Sequence, residues 1–185
     1  MSHEDVIGFP SSIVLGLIGA AIEDVRYWMD ENSFLNVEDP EYFVSNIDHG
    51  LVLSTSQGDL DIAWCVDNGL EYLKLSARVA DSPAKNVAQL KSVSGMERWA
   101  SLIGSRISRI GVSFAEAAVG SLPVLWAFRI ETDRERDVTV ALGEVEDGEY
   151  SYHPSGLVAI FDSSLSQSVQ ILGSPDPAWG RSVLG

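Results

Sequence analysis

The sequence predicts an α+β fold, mainly antiparallel, in which a short helix followed by about four strands occurs twice. A Leu-Ile-Gly motif begins at Leu17 and again at Leu102, in each case followed by an isoleucine three residues after the glycine. Downstream of both copies, short runs alternate apolar and polar residues and are separated by turn residues, which is typical of hairpins with one buried face. We therefore expect an internal duplication of pseudo-twofold symmetry over residues 12–76 and 97–162.

A short helix is predicted before each glycine of the repeated motif. Ser94 and Glu97 have the spacing of a capping box, in which side chains satisfy free N–H groups at a helix start. Trp99 and the Leu-Ile pair that follows it fall at helical spacing. Gly19 and Gly104 occupy positions where a left-handed residue ends a helix. The sequence thus predicts two short helices, each stopped by a glycine.

The strand predictions follow from alternation and from turn residues. The segments AIEDVRYWM and RISRIGVSF, which follow the two helices, contain β-branched and aromatic residues suited to strands. A hairpin is expected to turn at 57–59 in the first half and within 131–137 in the second, and further turns at 67–69 and 146–148. The runs LEYLKLS and GLVAIFD are then predicted to be the last strand of each half.

We expect one domain over residues 1–185, because a unit of about 80 residues buries only a modest core by itself. The two units would share an extended sheet or a common core. Residues 80–95 are predicted to connect them, and the tail 173–185, with two prolines and three glycines, to be irregular. The residues predicted to be mostly buried are Ile22, Leu53, Ile62, Trp64, Trp99, Leu102, Ile107, Phe128, Val140 and Ile160.

The charge of the chain limits its partners. Acidic residues number 27 and basic residues 12, which gives a formal net charge of −15. This sign opposes binding to nucleic acid or to an anionic membrane surface, and it favours either a basic protein partner or simple solubility. The candidate partner-binding residues form an acidic hairpin region with Val138, Val140 and Leu142 turned inward, namely Glu131, Asp133, Glu135, Asp137, Glu144, Glu146, Asp147 and Glu149.

Residues that could carry catalysis are few. His49 or His153 is a candidate general base, and Asp48 or a serine is its candidate catalytic partner. However, Asp48 and His49 are sequence neighbours that would point to opposite faces of a strand, and no nucleophile elbow is present. The carboxylates lie in turn-like positions beside arginines rather than in an evident cleft. We therefore expect no catalytic residue, and we keep a small hydrolase or ligand-binding enzyme as the alternative.

No cofactor or metal is predicted. The glycines form no phosphate-binding loop or dinucleotide fingerprint, and no Cys/His spacing or EF-hand pattern is present. Cys65, the only cysteine, is expected to be a buried and inert thiol. The N-terminus lacks a basic signal-peptide region, and the apolar run IVLGLIGAAI is about half the length of a membrane span. The sequence therefore favours a cytoplasmic protein.

Several segments carry a resemblance to known proteins. LIGSRISRIGVSF, VTVALGEVEDGEYSYHPSGLVAIFD and the LDIAW hairpin together resemble a group of small uncharacterised bacterial proteins common in actinobacteria, which implies no activity. By its size and acidity the chain also resembles the immunity proteins of bacterial polymorphic toxin systems. The second resemblance implies a non-enzymatic protein that neutralises a toxin domain by direct binding. The alternative among binding proteins is a structural or regulatory module.

Overall fold

The computed structural model describes residues 10–30, 38–39, 44–77, 79, 82–86, 88–116, 123–147, 149–153 and 155–161. The predicted C-terminal tail, 173–185, lies outside the described residues. Within them are two short α-helices, a 3-10 helix at Pro83–Asn86, and strands that dominate the fold. The helices are α1 (Ser11–Leu15) and α2 (Glu97–Ala100). The strands are β1 (Ile22–Met29), β2 (Glu38–Asp39), β3 (Val44–Asn46), β4 (Gly50–Thr55), β5 (Gly58–Asp67), β6 (Leu70–Ser76), β7 (Gln89–Ser92), β8 (Ile107–Glu116), β9 (Pro123–Thr132), β10 (Asp137–Leu142), β11 (Glu144–Glu146), β12 (Glu149–Ser151) and β13 (Leu157–Ile160).

The strands form two main antiparallel sheets, which confirms the predicted α+β fold of mainly antiparallel type. The first sheet has the order β6-β5-β4-β1-β7, and the second has the order β2-β3-β13-β10-β9-β8. The strands β11 and β12 pair with each other as a separate hairpin. The predicted strand segments of both halves are therefore strands, and the predicted turns lie at hairpin ends.

Each half of the chain provides a helix and four strands that pair in consecutive order. In the first half these are β1, β4, β5 and β6, and in the second β8, β9, β10 and β13. The pairing register of β1 shifts between Ile22 and Asp24, and that of β8 shifts between Ile107 and Arg109. The sheets also differ, because β3 joins the second sheet and β7 joins the first. The duplication of residues 12–76 in 97–162 therefore stays a prediction.

The two halves meet through a reciprocal set of backbone hydrogen bonds. Gly19 N donates to Ile107 O at 2.8 Å, and Gly104 N donates to Ile22 O at 2.8 Å. Ile22 N and Ile107 N donate in turn to the other half, and Ala21 and Arg106 form an antiparallel bridge between these contacts. Both glycines have positive φ, 84° and 77°. The prediction that they end the helices is wrong, because α1 ends at Leu15 and α2 at Ala100, with the right-handed C-cap residues Gly16 and Ser101. The glycines lie in the turns that follow the helices, and each of these turns is hydrogen-bonded to the first strand of the other half.

The predicted capping box of α2 is wrong. The residue before α2 is Met96, in an extended conformation, and no side chain caps the helix. The Ser94 hydroxyl instead accepts a hydrogen bond from Val25 N at 2.6 Å and donates to the Asp24 carboxylate. A long-range contact with β1 therefore replaces the local cap, because the chain approaches β1 just before the helix begins.

One core receives side chains from both sheets. Nine of the ten residues predicted to be buried are fully buried, and Trp64 is partly buried against the same core. A chain of hydrogen bonds crosses this core: Trp99 Nε1 donates to the Tyr27 hydroxyl at 2.6 Å, and the Tyr27 hydroxyl donates to Ser45 at 3.0 Å. The connecting segment 80–95 belongs to the fold, since its strand β7 pairs with β1.

Candidate functional site

The structure divides the eight candidate acidic residues into two groups at opposite ends of β10. Glu131, Asp133, Glu135 and Asp137 surround the turn from β9 to β10, whereas the other four lie on the β11–β12 hairpin that follows β10. A strand of six residues is about 20 Å long, so the two groups do not form one surface. They must be considered separately as binding sites.

Most carboxylates of the turn group are used within the fold. Glu131 pairs with Arg109 at 2.7 Å, and Asp137 pairs with Arg129 at 2.8 Å. The Arg129 side chain is only 12% exposed and that of Asp137 only 14%, so this pair is largely screened from a partner. Asp133 accepts a hydrogen bond at 2.9 Å from the backbone N–H of Arg106, which lies just before β8. The turn group therefore offers little free negative charge.

The hairpin group has the opposite character. Glu144, Glu146, Asp147 and Glu149 are all exposed, and in the described part of the chain none of them forms an ion pair. The sequence contains no lysine or arginine between Asp137 and the end of β13. Four like charges that form no ion pair within the described ranges create a negative potential around this hairpin. We call these four residues the acidic hairpin.

Aromatic side chains anchor the acidic hairpin to the core. The Tyr150 hydroxyl donates to the carbonyl oxygen of Leu142, and the rings of Tyr150 and Tyr152 contact Trp126 with centroid distances of 6.5 and 6.1 Å. Burial raises the pKa of Tyr150, so its hydroxyl stays protonated and can keep donating. The hairpin is therefore held against β9 at its base while its charged turn points to solvent.

Beside this anchor lies a glutamate that the sequence analysis missed. Glu71 stands opposite Val66 in the β5–β6 pairing, and its Oε2 atom is buried without a hydrogen-bond partner among the described residues. The pKa of Tyr152 is raised first by burial and then by the charge of Glu71. Trp64 Nε1, on the neighbouring strand, is likewise buried and has no partner within the described ranges. We call Glu71, Trp64 and Tyr152 the Glu71 corner.

A signal for the Glu71 corner is present in the sequence. In LEYLKLS, alternation places Glu71 on the same face as Leu73 and Leu75, both of which are buried. A charged residue at an inward position of a strand is uncommon and is more informative than an exposed one. Glu71 is not part of an acidic cluster in the sequence, so a search for clustered carboxylates does not find it.

The two histidines have different partners. His49 Nε2 lies 2.8 Å from the Asp30 carboxylate, and Asp48 accepts a hydrogen bond from the Asp30 N–H at 3.1 Å. His153 Nδ1 lies 2.9 Å from the Ser155 hydroxyl on an exposed turn. A serine–histidine–aspartate relay needs one histidine in contact with both a hydroxyl and a carboxylate. The described contacts give each histidine only one of these.

A cavity of about 210 Å³ lies between α2 and the turn from β9 to β10. Its lining carries both signs of charge and one aromatic ring. Ligand pockets are more often about 300–1,000 Å³, so this one is small. Among the described residues, no three His, Cys, Asp or Glu side chains converge as metal ligands. The lining residues are Arg98, Ser101, Leu102, Glu135, Arg136, Asp137 and Phe161.

A second buried carboxyl lies on the outer face of the first sheet. Asp61 is 1% exposed, although alternation along β5 predicts a solvent-facing position. It accepts a hydrogen bond from Trp28 Nε1 at 2.7 Å, and its Oδ2 atom has no hydrogen-bond partner among the described residues. Burial raises the pKa of Asp61 from 3.8 to about 6, opposed by the hydrogen bond from Trp28, by the polar side chain of Ser82 and by the charge of Lys74. The 3-10 helix that packs over this face explains the burial.

Cys65 is half-buried rather than fully buried, and it is a free thiol. It stands opposite Tyr72 in the β5–β6 pairing. The pKa of Tyr72 is raised chiefly by burial and further by its interaction with Cys65. The thiol therefore interacts with a neutral phenol.

The comparisons with known proteins give no indication of function, so the functional argument depends on the geometry of the site. A scan against protein-family models and searches of curated proteins and of solved structures each find no match. In the described ranges, no helix is both long and apolar enough to cross a membrane. The acidic hairpin, whose four carboxylate residues are exposed, is the candidate functional site.

Proposed function

We propose that this chain is a non-enzymatic, cytoplasmic binding protein whose acidic hairpin docks a basic protein. Most concretely, it is an immunity protein that neutralises a bacterial toxin domain by direct binding. The observation that supports this proposal is the set of four exposed carboxylates on an anchored hairpin, without ion pairs in the described part of the chain. Its resemblance to immunity proteins in size and charge, stated above, suggests the toxin partner.

The physical basis is electrostatic steering and preorganisation. A cluster of like charges raises the encounter rate with a partner of opposite sign, and it mainly changes the association rate constant. Because Tyr150 and Tyr152 hold the hairpin against Trp126, little order has to be gained when a partner binds. The turn group contributes less, since Glu131 and Asp137 already pair with arginines.

A ligand-binding enzyme is the second candidate, and the cavity beside α2 is the observation that favours it. Its small volume and the presence of both Arg136 and Glu135 suit a small polar molecule that carries charges of both signs. Neither histidine lines this cavity. A general base at the cavity would therefore have to be a carboxylate, which makes the binding role better supported than the hydrolytic one.

The decisive experiment uses a toxin-like domain encoded by the neighbouring gene. Association and dissociation are measured by surface plasmon resonance for the wild type and for the double variant E146Q/D147N. The matched control is E23Q/E97Q, which removes two exposed charges elsewhere. We expect the hairpin variant to associate several-fold more slowly at low salt and the difference to shrink at high salt, because exposed charges are screened.

Two results would contradict the proposal. Equal association rates for E146Q/D147N and the wild type at low salt would exclude the acidic hairpin from the interface. Absence of binding to the neighbouring toxin domain, together with growth arrest when the two genes are co-expressed, would exclude the immunity role.

A further inference from the structure

We infer that residues 79–88, which include the 3-10 helix, form a pH-sensitive cover over Asp61 that opens more often when the Asp61 carboxyl loses its proton. We call these residues the cover, and the structure describes 79, 82–86 and 88 of them. The inference concerns the outer face of the first sheet and is independent of the proposed function.

The first reason is that the cover buries Asp61. Asp61 stands opposite Val52 in the β4–β5 pairing, on the outer face of the sheet. Ala84 of the 3-10 helix packs with Val52 and Trp28 in an apolar cluster that is separate from the main core. Asp61 is 1% exposed, whereas the side chain of Asp59, on the same face of β5, is 36% exposed. The cover therefore accounts for the difference between the two carboxyl groups.

The second reason is that the cover can detach without unpairing a strand. Its described backbone hydrogen bonds run from Ser82 N to Val79 O, from Lys85 N to Ser82 O and from Ala88 N to Ala84 O. All three stay within the cover, so side chains attach the described part of it to the sheet. A segment held in this way opens locally at a lower free energy than a strand that is paired on both sides.

The third reason is that the surroundings compensate the charge of Asp61 only in part. Arg26 lies in the same row across the sheet, beyond Val52, but it pairs with Asp24 at 3.3 Å and with Asp59 at 3.1 Å. Lys74 is diagonal to Asp61 on β6, and its charge lowers the pKa of Asp61 by less than burial raises it. Opening lets water solvate the carboxylate, which favours the open state once Asp61 is ionised. The charged and titratable side chains at positions of this face are Asp24, Arg26, Asp59, Cys65, Asp67, Tyr72 and Lys74, with Lys85 on the cover.

The pH range follows from the two environments of the carboxyl. Asp61 has a pKa of about 6 under the cover and should return towards 3.8 when water reaches it. The closed state therefore binds more protons, so the cover is most stable below about pH 4 and loses stability as pH rises through about 6. The ratio of open to closed molecules should rise about tenfold between pH 5 and pH 7.

The test is native-state hydrogen exchange, followed by NMR at pH 5, 6 and 7 with and without a low concentration of urea. Two N–H groups report the opening, namely the Ala88 amide and the Trp28 indole, which donates to Asp61 at 2.7 Å. The protection factor of each N–H group is used, because it removes the intrinsic pH dependence of exchange. The amides of β4, which is paired on both sides, report global unfolding.

In the wild type, we expect both protection factors to fall about tenfold from pH 5 to pH 7. They should respond little to urea, since a local opening exposes little surface, whereas those of β4 should fall steeply. In D61N the two protection factors should be the same at all three pH values. The matched control is D67N, which removes an exposed carboxylate at the end of the same strand and should behave like the wild type.

A second variant keeps the test decisive if D61N does not fold. Lys74→Met removes a cation that favours the ionised carboxyl. The fall in protection between pH 5 and pH 7 should then be larger than in the wild type. A fall that is unchanged or smaller would contradict the role of Asp61.

Three other results would overturn the inference. If the Ala88 amide exchanges with the same urea dependence and the same protection as β4, the cover opens only when the whole chain unfolds. If protection in the wild type does not change with pH, Asp61 does not control the opening. If the change persists in D61N, which retains His49 and His153, a histidine causes it, because histidine also changes charge in this pH range.

Discussion

Replacement of Asp61 by asparagine tests the electrostatics of the outer face of the first sheet. Asparagine has the shape of aspartate, and its Oδ1 atom can still accept the hydrogen bond from Trp28 Nε1. The variant removes the charge of a residue that is 1% exposed and whose Oδ2 atom has no hydrogen-bond partner among the described residues. We therefore expect D61N to be more stable than the wild type at neutral pH.

The magnitude follows from the raised pKa. Asp61 ionises near 3.8 in the unfolded chain and near 6 in the fold, so the folded state binds more protons between these values. Stability therefore falls as pH rises from about 4 to about 6, and it is constant above that range. At 1.36 kcal/mol for each pKa unit, ionisation costs the wild type up to about 3 kcal/mol at pH 7, and D61N should recover roughly 1–3 kcal/mol.

Urea denaturation followed by tryptophan fluorescence, at pH 4, 5, 6 and 7, measures this difference. The advantage of D61N should be near zero at pH 4, should grow to pH 6 and should then stay constant. An advantage that is equal at pH 4 and pH 7 would show that the effect is not ionisation. A D61N variant less stable than the wild type at pH 7 would mean that Lys74 compensates the buried charge fully.

Three further substitutions test the core and the turns. Leu102→Ala should lower the free energy of unfolding by about 2–5 kcal/mol, because Leu102 is 1% exposed. An unchanged midpoint in a denaturant titration would refute its place in the core. Tyr27→Phe leaves the buried Trp99 Nε1 without its acceptor and should lower the free energy of unfolding by about 1–3 kcal/mol. An unchanged free energy of unfolding in the same titration would mean that water replaces the hydroxyl. Glu135→Gly should raise stability by about 1 kcal/mol, since Glu135 has φ 57°, and a lower melting temperature in calorimetry would contradict the expected strain.

The architecture could be predicted from the sequence because its signals are local. Alternation in β5 predicted that Leu60 and Ile62 face the core, and turn residues marked the hairpin ends. β9 does not alternate in burial, since Pro123 to Phe128 are all buried. The capping box failed because Ser94 has a competing partner on β1, 69 residues away in the sequence. A local sequence pattern contains no information about a hydrogen-bond partner on a distant strand.

The site was harder to predict, for two physical reasons. The eight acidic residues are close in sequence, but β10 separates them into two groups, and Arg109 and Arg129 neutralise part of one group from other positions in the sheet. Asp61 is at a polar position of its strand, yet the 3-10 helix covers that face. Both effects depend on which segment packs on which, information that alternation along one strand does not contain.

The reciprocal bonds of Gly19 and Gly104 have a consequence for folding. Each bond joins residues more than eighty positions apart. The first half also contributes β3 to the second sheet, and the connecting segment contributes β7 to the first sheet. Such long-range pairing slows folding, since distant segments must meet before either is stabilised. It also means that neither half can open alone without breaking the hydrogen bond that holds the turn after its own helix. The amides of Gly19 and Gly104 should therefore exchange with deuterium only through global unfolding, and the chain should unfold as one cooperative unit.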